Sequence, residues 1–391
     1  MRAPLLVLLT TVSLLSTNDR VFAGPFSAQP LVGVAAEYAS NPELVAPATQ
    51  SETHAALFVD LPMNYDLDAV HFSVTPRVRY GGTTGYSSVT SNYYHVDASA
   101  QFTNEFGSLA CTGSLYRDSS LLYAGELSNG AGVRRDTSSA DVNWQRALSE
   151  RLQFQFDANT SRTLYAQNTA STDLVDYRYT SLSPSLGYAL DERDTIQVLG
   201  GAGRYESLDG FTDSDNDNLQ LGFNRQLSEM WKLTTSAGYS KSTNQYHYFF
   251  GTFDIVQRGG VYSANLTRQS DVLSVTTGVS RAFTPTGSVF LSRQDSVTLL
   301  TNYSYSERWT FGLSAIWQNV IDPVVIGASE HRRFYDGDVF ANWRWTEQWT
   351  LTLHVLKIGQ QYAPQPGQPL VSPRSDDVRL EISRQFYRTN Q

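Results

Sequence analysis

Long stretches of the chain alternate apolar and polar side chains one for one. From Val70 the apolar set is Val70, Phe72, Val74, Val78 and Tyr80, interleaved with His71, Ser73, Thr75, Arg77 and Arg79. The same alternation runs from Tyr94 to Phe102, Leu152 to Thr160, Trp309 to Trp317 and Val339 to Trp345. A period of two sends successive side chains to opposite faces, so each segment predicts a strand with one apolar and one polar face. Strands are expected near 31–39, 53–62, 69–80, 92–104, 108–118, 134–147, 151–164, 176–190, 194–206, 216–227, 231–245, 255–268, 271–283, 288–305, 308–321, 332–345, 349–361 and 375–387. That is about eighteen strands. The first strand and the pair around 255–283 have the weakest patterning, which leaves sixteen as the alternative.

A short polar peptide recurs between these runs. Leu148-Ser149-Glu150-Arg151 is echoed by Leu190-Asp191-Glu192-Arg193, Leu227-Ser228-Glu229-Met230, Tyr305-Ser306-Glu307-Arg308 and Trp345-Thr346-Glu347-Gln348. The glutamates lie 42, 37, 78 and 40 residues apart, and the double interval contains a worn copy at Gln269-Ser270-Asp271. A fixed period means that one supersecondary unit is reused. Here the unit is two antiparallel strands, one tight turn and one longer loop. Strands of a soluble sandwich run ~5–6 residues. These are about twice that, the length a tilted strand needs to cross a bilayer. Trp231, Trp309, Trp345 and Trp349 stand at the tight turns, as an interfacial girdle requires. The expected fold is all-β: a transmembrane antiparallel up-and-down β-barrel. Tight turns and both termini face the periplasm; outer loops are expected near 40–52, 81–91, 119–133, 165–175, 207–215, 246–254, 322–331 and 362–374.

The N-terminus has a different character. Arg2, an apolar run from Leu5 to Leu15 and Val21-Phe22-Ala23 before Gly24 have the parts of a secretory signal cleaved after residue 23. Residues 24–391 then form the barrel, with only 24–30 before the first strand. A separate plug domain, and with it energised transport, is not expected. Mean hydropathy is −0.31, which is compatible with a barrel because only alternate residues face lipid. Lys+Arg number 29 against 38 Asp+Glu, a net charge of −9 that argues against nucleic acid as a partner. Lys232, Lys241 and Lys357 are the only lysines; the other cations are arginines, whose rigid fork suits carboxylate pairing in a polar lumen. Cys111 is the single cysteine and takes a lipid-facing register.

Candidate chemistry is sparse. The six histidines are scattered and show no zinc-site spacing, so no metal, cofactor or catalytic residue is expected. Asp213-Ser214-Asp215-Asn216-Asp217 opens like a calcium loop but lacks its glycine and final glutamate; it is expected to be a solvated loop. Tyr246, Tyr248 and Phe249 belong to an aromatic outer segment, either a pore constriction that stacks sugars or a girdle. Arg77, Arg79, Asp97, Arg135, Asp141, Asp157, Asp338, Arg344, Arg379 and Glu381 fall on polar registers and are the candidates for lining the lumen. They would either select charged solutes or pair with one another to satisfy a polar interior.

Glu37-Tyr38-Ala39-Ser40-Asn41-Pro42, Phe72-Ser73-Val74-Thr75-Pro76-Arg77-Val78-Arg79-Tyr80 and Tyr116-Arg117-Asp118-Ser119-Ser120-Leu121 occur in this order, followed by Glu126-Leu127 and Arg134-Arg135. Together with the repeated turns, these segments resemble the outer-membrane β-barrel porins of the porin-2 type, often associated with exopolysaccharide or exosortase systems of Gram-negative bacteria. The resemblance implies an outer-membrane barrel with an export or uptake role and supplies no catalytic residues. Arg117 and Asp118, where a strand meets a long outer loop, are candidates for shaping the external mouth. The last strand, Val378 to Phe386, resembles the C-terminal signal read by the barrel-assembly machinery, although Arg384 stands where an apolar residue is usual. The expected partners are outer-membrane lipids, that machinery and a polysaccharide or its precursors; a lumen plugged by its own loops is the alternative.

Overall fold

The computed structural model describes residues 26–48, 51–83, 92–120, 133–166, 174–248, 251–287, 291–322, 331–362 and 369–386. The expected signal at 1–23 lies outside them. The strands are β1 (Phe26–Ala28), β2 (Leu31–Ala39), β3 (Glu52–Asp60), β4 (Met63–Leu67), β5 (Val70–Thr83), β6 (Asn92–Asn104), β7 (Gly107–Ser119), β8 (Arg134–Ala147), β9 (Leu152–Tyr165), β10 (Tyr177–Ala189), β11 (Asp194–Ser207), β12 (Thr212–Gln226), β13 (Trp231–Tyr248), β14 (Gly251–Gln269), β15 (Leu273–Pro285), β16 (Leu291–Ser304), β17 (Trp309–Ile321), β18 (His331–Arg344), β19 (Trp349–Gln361) and β20 (Arg374–Gln385). From β5 onward each strand pairs antiparallel with the next, and β20 pairs with β2 to close the ring. The barrel has eighteen staves, because β1–β2 and β3–β4 are each one stave broken by a proline. Pro30 and Pro62 have no N–H for the ladder. Their carbonyls still accept, from Phe386 N (2.8 Å) and Gln29 N (3.0 Å).

Each stave has an outward apolar stretch of limited height. On β9 the outward side chains are Leu152, Phe154, Phe156, Ala158 and Thr160, and the next is Arg162. On β11 they are Ile196, Val198, Gly200 and Ala202, and the next is Arg204. Nine or ten tilted residues rise ~25 Å, the height of the apolar band of such barrels. At the turn end Trp309 stacks on Trp343 (5.6 Å), Arg268 lies over Trp231 and Arg384 over Trp349 (each 5.7 Å). Arg384, the departure in the last strand, therefore sits in an arginine–aromatic girdle and also donates to Gln348 Oε1. Cys111 is exposed on the outward register. None of the described residues forms a helix long and apolar enough to cross a membrane.

The recurring peptide is the tight turn. In each copy the first polar side chain accepts from the N–H three residues on: Ser149 from Leu152 (3.1 Å), Asp191 from Asp194 (2.8 Å), Ser228 from Trp231 (3.3 Å), Ser306 from Trp309 (3.2 Å) and Thr346 from Trp349 (3.1 Å). The worn copy does the same through Ser270 and Leu273 (3.1 Å). Asn104 repeats the device toward Phe106 and Gly107 in a turn without the motif. A short side chain with an acceptor oxygen is what an Asx- or ST-turn needs, which explains why Ser, Thr, Asp and Asn interchange there.

Two expected outer loops are shorter than expected, with strand running into them from both sides. Residues 212–218 belong to β12, paired on both sides, so the calcium-like run alternates Thr212, Ser214 and Asn216 inward with Asp213, Asp215 and Asp217 outward. Arg204 and His247 lie 3.9 and 3.2 Å from Asp213, which compensates the charge that would otherwise disfavour a strand. The 246–254 segment is likewise strand up to Tyr248 and again from Gly251. The connection between β15 and β16 was not among the expected loops.

Ser306→Ala is expected to cost about 1 kcal/mol of unfolding free energy, the net worth of one such hydrogen bond, measured by urea titration of the refolded barrel. Asp191 carries a pH signature. N–H groups of Arg193 and Asp194 hold its carboxyl below the usual carboxylate range, so its contribution is present above about pH 4 and is lost as pH falls through the lowered value. Asp191→Asn should retain less of the neutral-pH stability and show a smaller loss between pH 7 and pH 2.5 than wild type.

Candidate functional site

The inner wall is divided by charge. On β18, β19, β20 and the staves from β2 to β9 the inward registers carry acids, arginines and histidines. On β10 to β17 the described inward side chains are Ser, Thr, Asn, Gln, Gly, Tyr and a few apolar residues, with Lys232 at the turn end the only charge. Hydroxyls pair along this neutral half, as Ser236 with Ser263 (2.9 Å) and Ser280 with Ser296 (2.7 Å). Tyr177 stacks on Tyr205 at 5.2 Å within an apolar cluster that includes Tyr165, Phe283 and Leu291.

The charged half is centred on Glu37. Its Oε2 accepts from Arg379 Nε (2.8 Å) and Arg79 Nη2 (3.1 Å) and lies 3.3 Å from His54 Nε2. Glu381 stands 3.9 Å from both arginines. The geometry follows from the barrel seam: β20, β2, β3 and β5 are neighbours in the sheet although β20 and β2 come from opposite ends of the chain. Next to this cluster, Asp118 holds Arg135 through two 2.9 Å hydrogen bonds, with Tyr116 under the guanidinium at 5.5 Å.

The ten lumen candidates take inward registers and divide into separate groups. Arg79, Arg379 and Glu381 come together around Glu37. Arg135 pairs with Asp118. Asp97 is 2.8 Å from His95, and Asp338 is 3.0 Å from His354. Asp141 accepts from Asn159, and Asp157 from Asn143 and Gln155. Arg77 lies opposite Asp60 in the register, and Arg344 is exposed at the turn end. The mouth candidates do not form one group. Asp118 faces inward while Arg117 faces outward, bonded to Asp136 (2.5 Å) over the Tyr94 ring. Tyr246 is buried on the inner register of β13; Tyr248 ends that strand opposite Gly251, and Phe249 lies outside the described residues.

Glu37 and His54 were missed in the sequence because Ala35, Ala36, Ala39, Ala55 and Ala56 blur the alternation on their strands. Five of the six histidines neighbour a carboxylate, which spacing alone did not show. Among the described residues no group of three His, Cys, Asp or Glu is arranged to hold a metal.

Two segments enter the ring. The first outer loop folds inward, packing Leu44 against Val320, Phe334 and Ile358, while Gln360 donates to the Leu44 carbonyl (3.1 Å). Leu44 adopts a left-handed backbone (φ 49°), which a leucine takes only when its surroundings hold it there. The β15–β16 hairpin leaves β14 beyond the Tyr262–Arg281 pair, and its Gly287 carbonyl accepts from Val175 N (2.9 Å). That contact bypasses β11 to β14, so the described end of β15 reaches across the ring at Gly287. Between the first loop and the Glu37 cluster lies a cavity of about 700 Å³, with Leu44, Leu356 and Ile358 on one side and Arg79, Arg379, Tyr93 and Tyr116 among its other walls.

These features define a closed transmembrane β-barrel of eighteen strands with a polar interior. No family model matches the chain, and no curated protein matches it in sequence. Among solved structures it is similar to the ferric citrate transporter FecA in its unliganded form, with a TM-score of 0.50 and 8% identity over 93% of this chain and 79% of that one. It is also similar to a BenF-like porin from Pseudomonas fluorescens Pf-5 (TM-score 0.45, 10% identity, 92% of this chain and 98% of that one). OccK2 of Pseudomonas aeruginosa gives 0.43 and 11% over 92% and 97%. The first of these shows the fold alone; the lower two scores carry no weight.

Glu37→Gln leaves Arg79 and Arg379 side by side without the carboxylate charge they share. Removing one partner of a buried network is expected to cost about 3 kcal/mol, read from the urea midpoint, with the barrel still heat-modifiable on gels.

Proposed function

We propose that the protein is a passive channel of the Gram-negative outer membrane, reached by signal-directed export and barrel assembly. The observation that carries this reading is the polar inner wall of a closed eighteen-strand ring, with a solvent cavity beside its inward-folded segments. A ring of this size holds an aqueous path unless loops fill it. Here the first loop and the end of β15 at Gly287 narrow it, so the permeant is a small polar solute.

The wall favours cations. Asp97, Asp336, Asp338 and Asp377 face inward without an arginine ion pair among the described residues, whereas the inward arginines outside any ion pair there are Arg77, which faces Asp60, and Arg344. A narrower form of the reading is passage of saccharides linked to an exopolysaccharide system. It is supported by the resemblance of the quoted segments and by the neutral, hydroxyl- and tyrosine-bearing half of the wall. The alternative is a structural barrel whose outer loops bind a surface polymer, favoured by the Leu44 cluster inside the ring.

Single-channel recording of the refolded protein in a planar bilayer tests the proposal. Steady conductance with a reversal potential on the cation side is expected under a KCl gradient. Asp336→Asn/Asp338→Asn should lower the cation preference about twofold per charge, the scale of ~0.4 kcal/mol for a screened charge. A folded, heat-modifiable barrel without conductance would exclude the channel and favour the structural role.

A further inference from the structure

The outward surface carries a charged belt set by strand position, cationic on β7, β9, β10, β11, β13 and β14 and broken by Asp136 on β8 and Asp215 on β12. Arg117, Arg162, Arg204 and Lys241 are each the eleventh residue of an ascending strand, counted from its tight-turn end. Arg178 and Arg258, on descending strands, are each the twelfth from that end. Below them the outward side chains are the apolar band. The belt therefore lies ~25 Å from the turns, at the band's far edge, where a lipid headgroup begins.

Some members have protein partners, as Arg117 has Asp136 and Arg204 has Glu206. Others are set against each other. Arg162 and Arg178 are direct cross-strand neighbours on β9 and β10, both exposed. Neither forms an ion pair among the described residues, and the acid opposite Arg178 on its other side, Glu206, is engaged by Arg204 at 2.8 Å. Lys241 and Arg258 repeat the arrangement on β13 and β14, with Asp217 beside Lys241 but outside ion-pair distance. Like charges directly opposite on neighbouring strands are destabilising. At the apolar band's edge, where water is scarcer, that repulsion is larger unless an anion sits between them. At the turn end the arginines are treated differently: Arg268 and Arg384 lie on tryptophan rings.

We propose that these opposed pairs are docking sites for the phosphate groups of outer-leaflet lipid headgroups, one phosphate bridging each pair. Arginine's fork matches a phosphate in a bidentate geometry, and the lipid's acyl chains would lie along the apolar band directly below. The inference rests on the reading that the loop side faces the outer leaflet. It does not depend on whether the lumen conducts.

The test uses the full barrel in maltoside micelles, alone or with bis-phosphorylated lipid A. Controls are the same lipid dephosphorylated and inorganic phosphate at equal phosphorus. The thermal midpoint is read from loss of heat-modifiable mobility, and bound phosphorus is counted after gel filtration. Wild type should gain stability from the phosphorylated lipid only, as any ligand of the native state confers. Arg162→Ser/Arg178→Ser should lose about one bound headgroup and part of that gain, yet be at least as stable as wild type in micelles alone, because the repulsion is gone. Lys241→Ser/Arg258→Ser should behave likewise and serves if the first variant does not fold. An equal gain in the variants, no gain in wild type, or an equal gain from the dephosphorylated lipid or inorganic phosphate would overturn the proposal. Conductance of the same wild-type preparation tests the channel reading separately.

Discussion

Backbone hydrogen bonding in a medium without water is the constraint on which the rest of this structure depends. Every peptide N–H and C=O at membrane depth needs a partner from the protein, and a sheet meets that demand only if it has no edges. The pairing of β20 with β2, from Leu31 opposite Gln385 to Ala39 opposite Asp377, removes the last two edges. Where Pro30 and Pro62 withhold donors, their carbonyls still accept from the flanking chain. The two prolines lie next to the seam and at its turn end, where water is available to whatever remains unpaired.

Closure also decides where charge can reside. Outward positions along the band must be apolar, so inward positions and the two rims carry the polar residues. Glu37 illustrates the consequence. It joins arginines from β5 and β20 that closure alone makes neighbours, and its shared acceptor role ties the two ends of the chain together electrostatically as well as through the backbone. The other side of the ring has almost no ionisable groups and is held instead by hydroxyl pairs and stacked tyrosines. A solute in the lumen therefore meets a charged wall on one side and a neutral hydrogen-bonding wall on the other. The rims follow the same logic, with tryptophan and arginine at the turn end and arginine-rich positions at the other.

Much of this was legible in the alternation itself. The phase of Val70–Tyr80 sends Arg77 and Arg79 inward whatever their partners are, because the strand period is two and one face must meet lipid. The recurring Ser/Thr/Asp at the turns was legible for a similarly local reason: the acceptor and its N–H are three residues apart. Residues 212–215 were misread as loop because Asp and Asn are turn formers in isolation. In the folded protein two neighbouring strands bring Arg204 and His247 to them, and pairing outweighs propensity. Glu37 and His54 were missed because alanine fits both faces and so marks neither.

The sequence by itself determined the element type, the face of nearly every side chain and the positions of the turns, since each depends on contacts within a few residues. The tertiary structure alone decided which arginine meets which carboxylate, that the first loop and the end of β15 at Gly287 lie inside the ring, and that Arg162 stands opposite Arg178. Those depend on strand register and on closure, which join residues as far as 356 positions apart, as Gln29 and Gln385 are, and bring Arg379 to Glu37 across 342. A local pattern specifies a face but carries no information about which distant residue will share it.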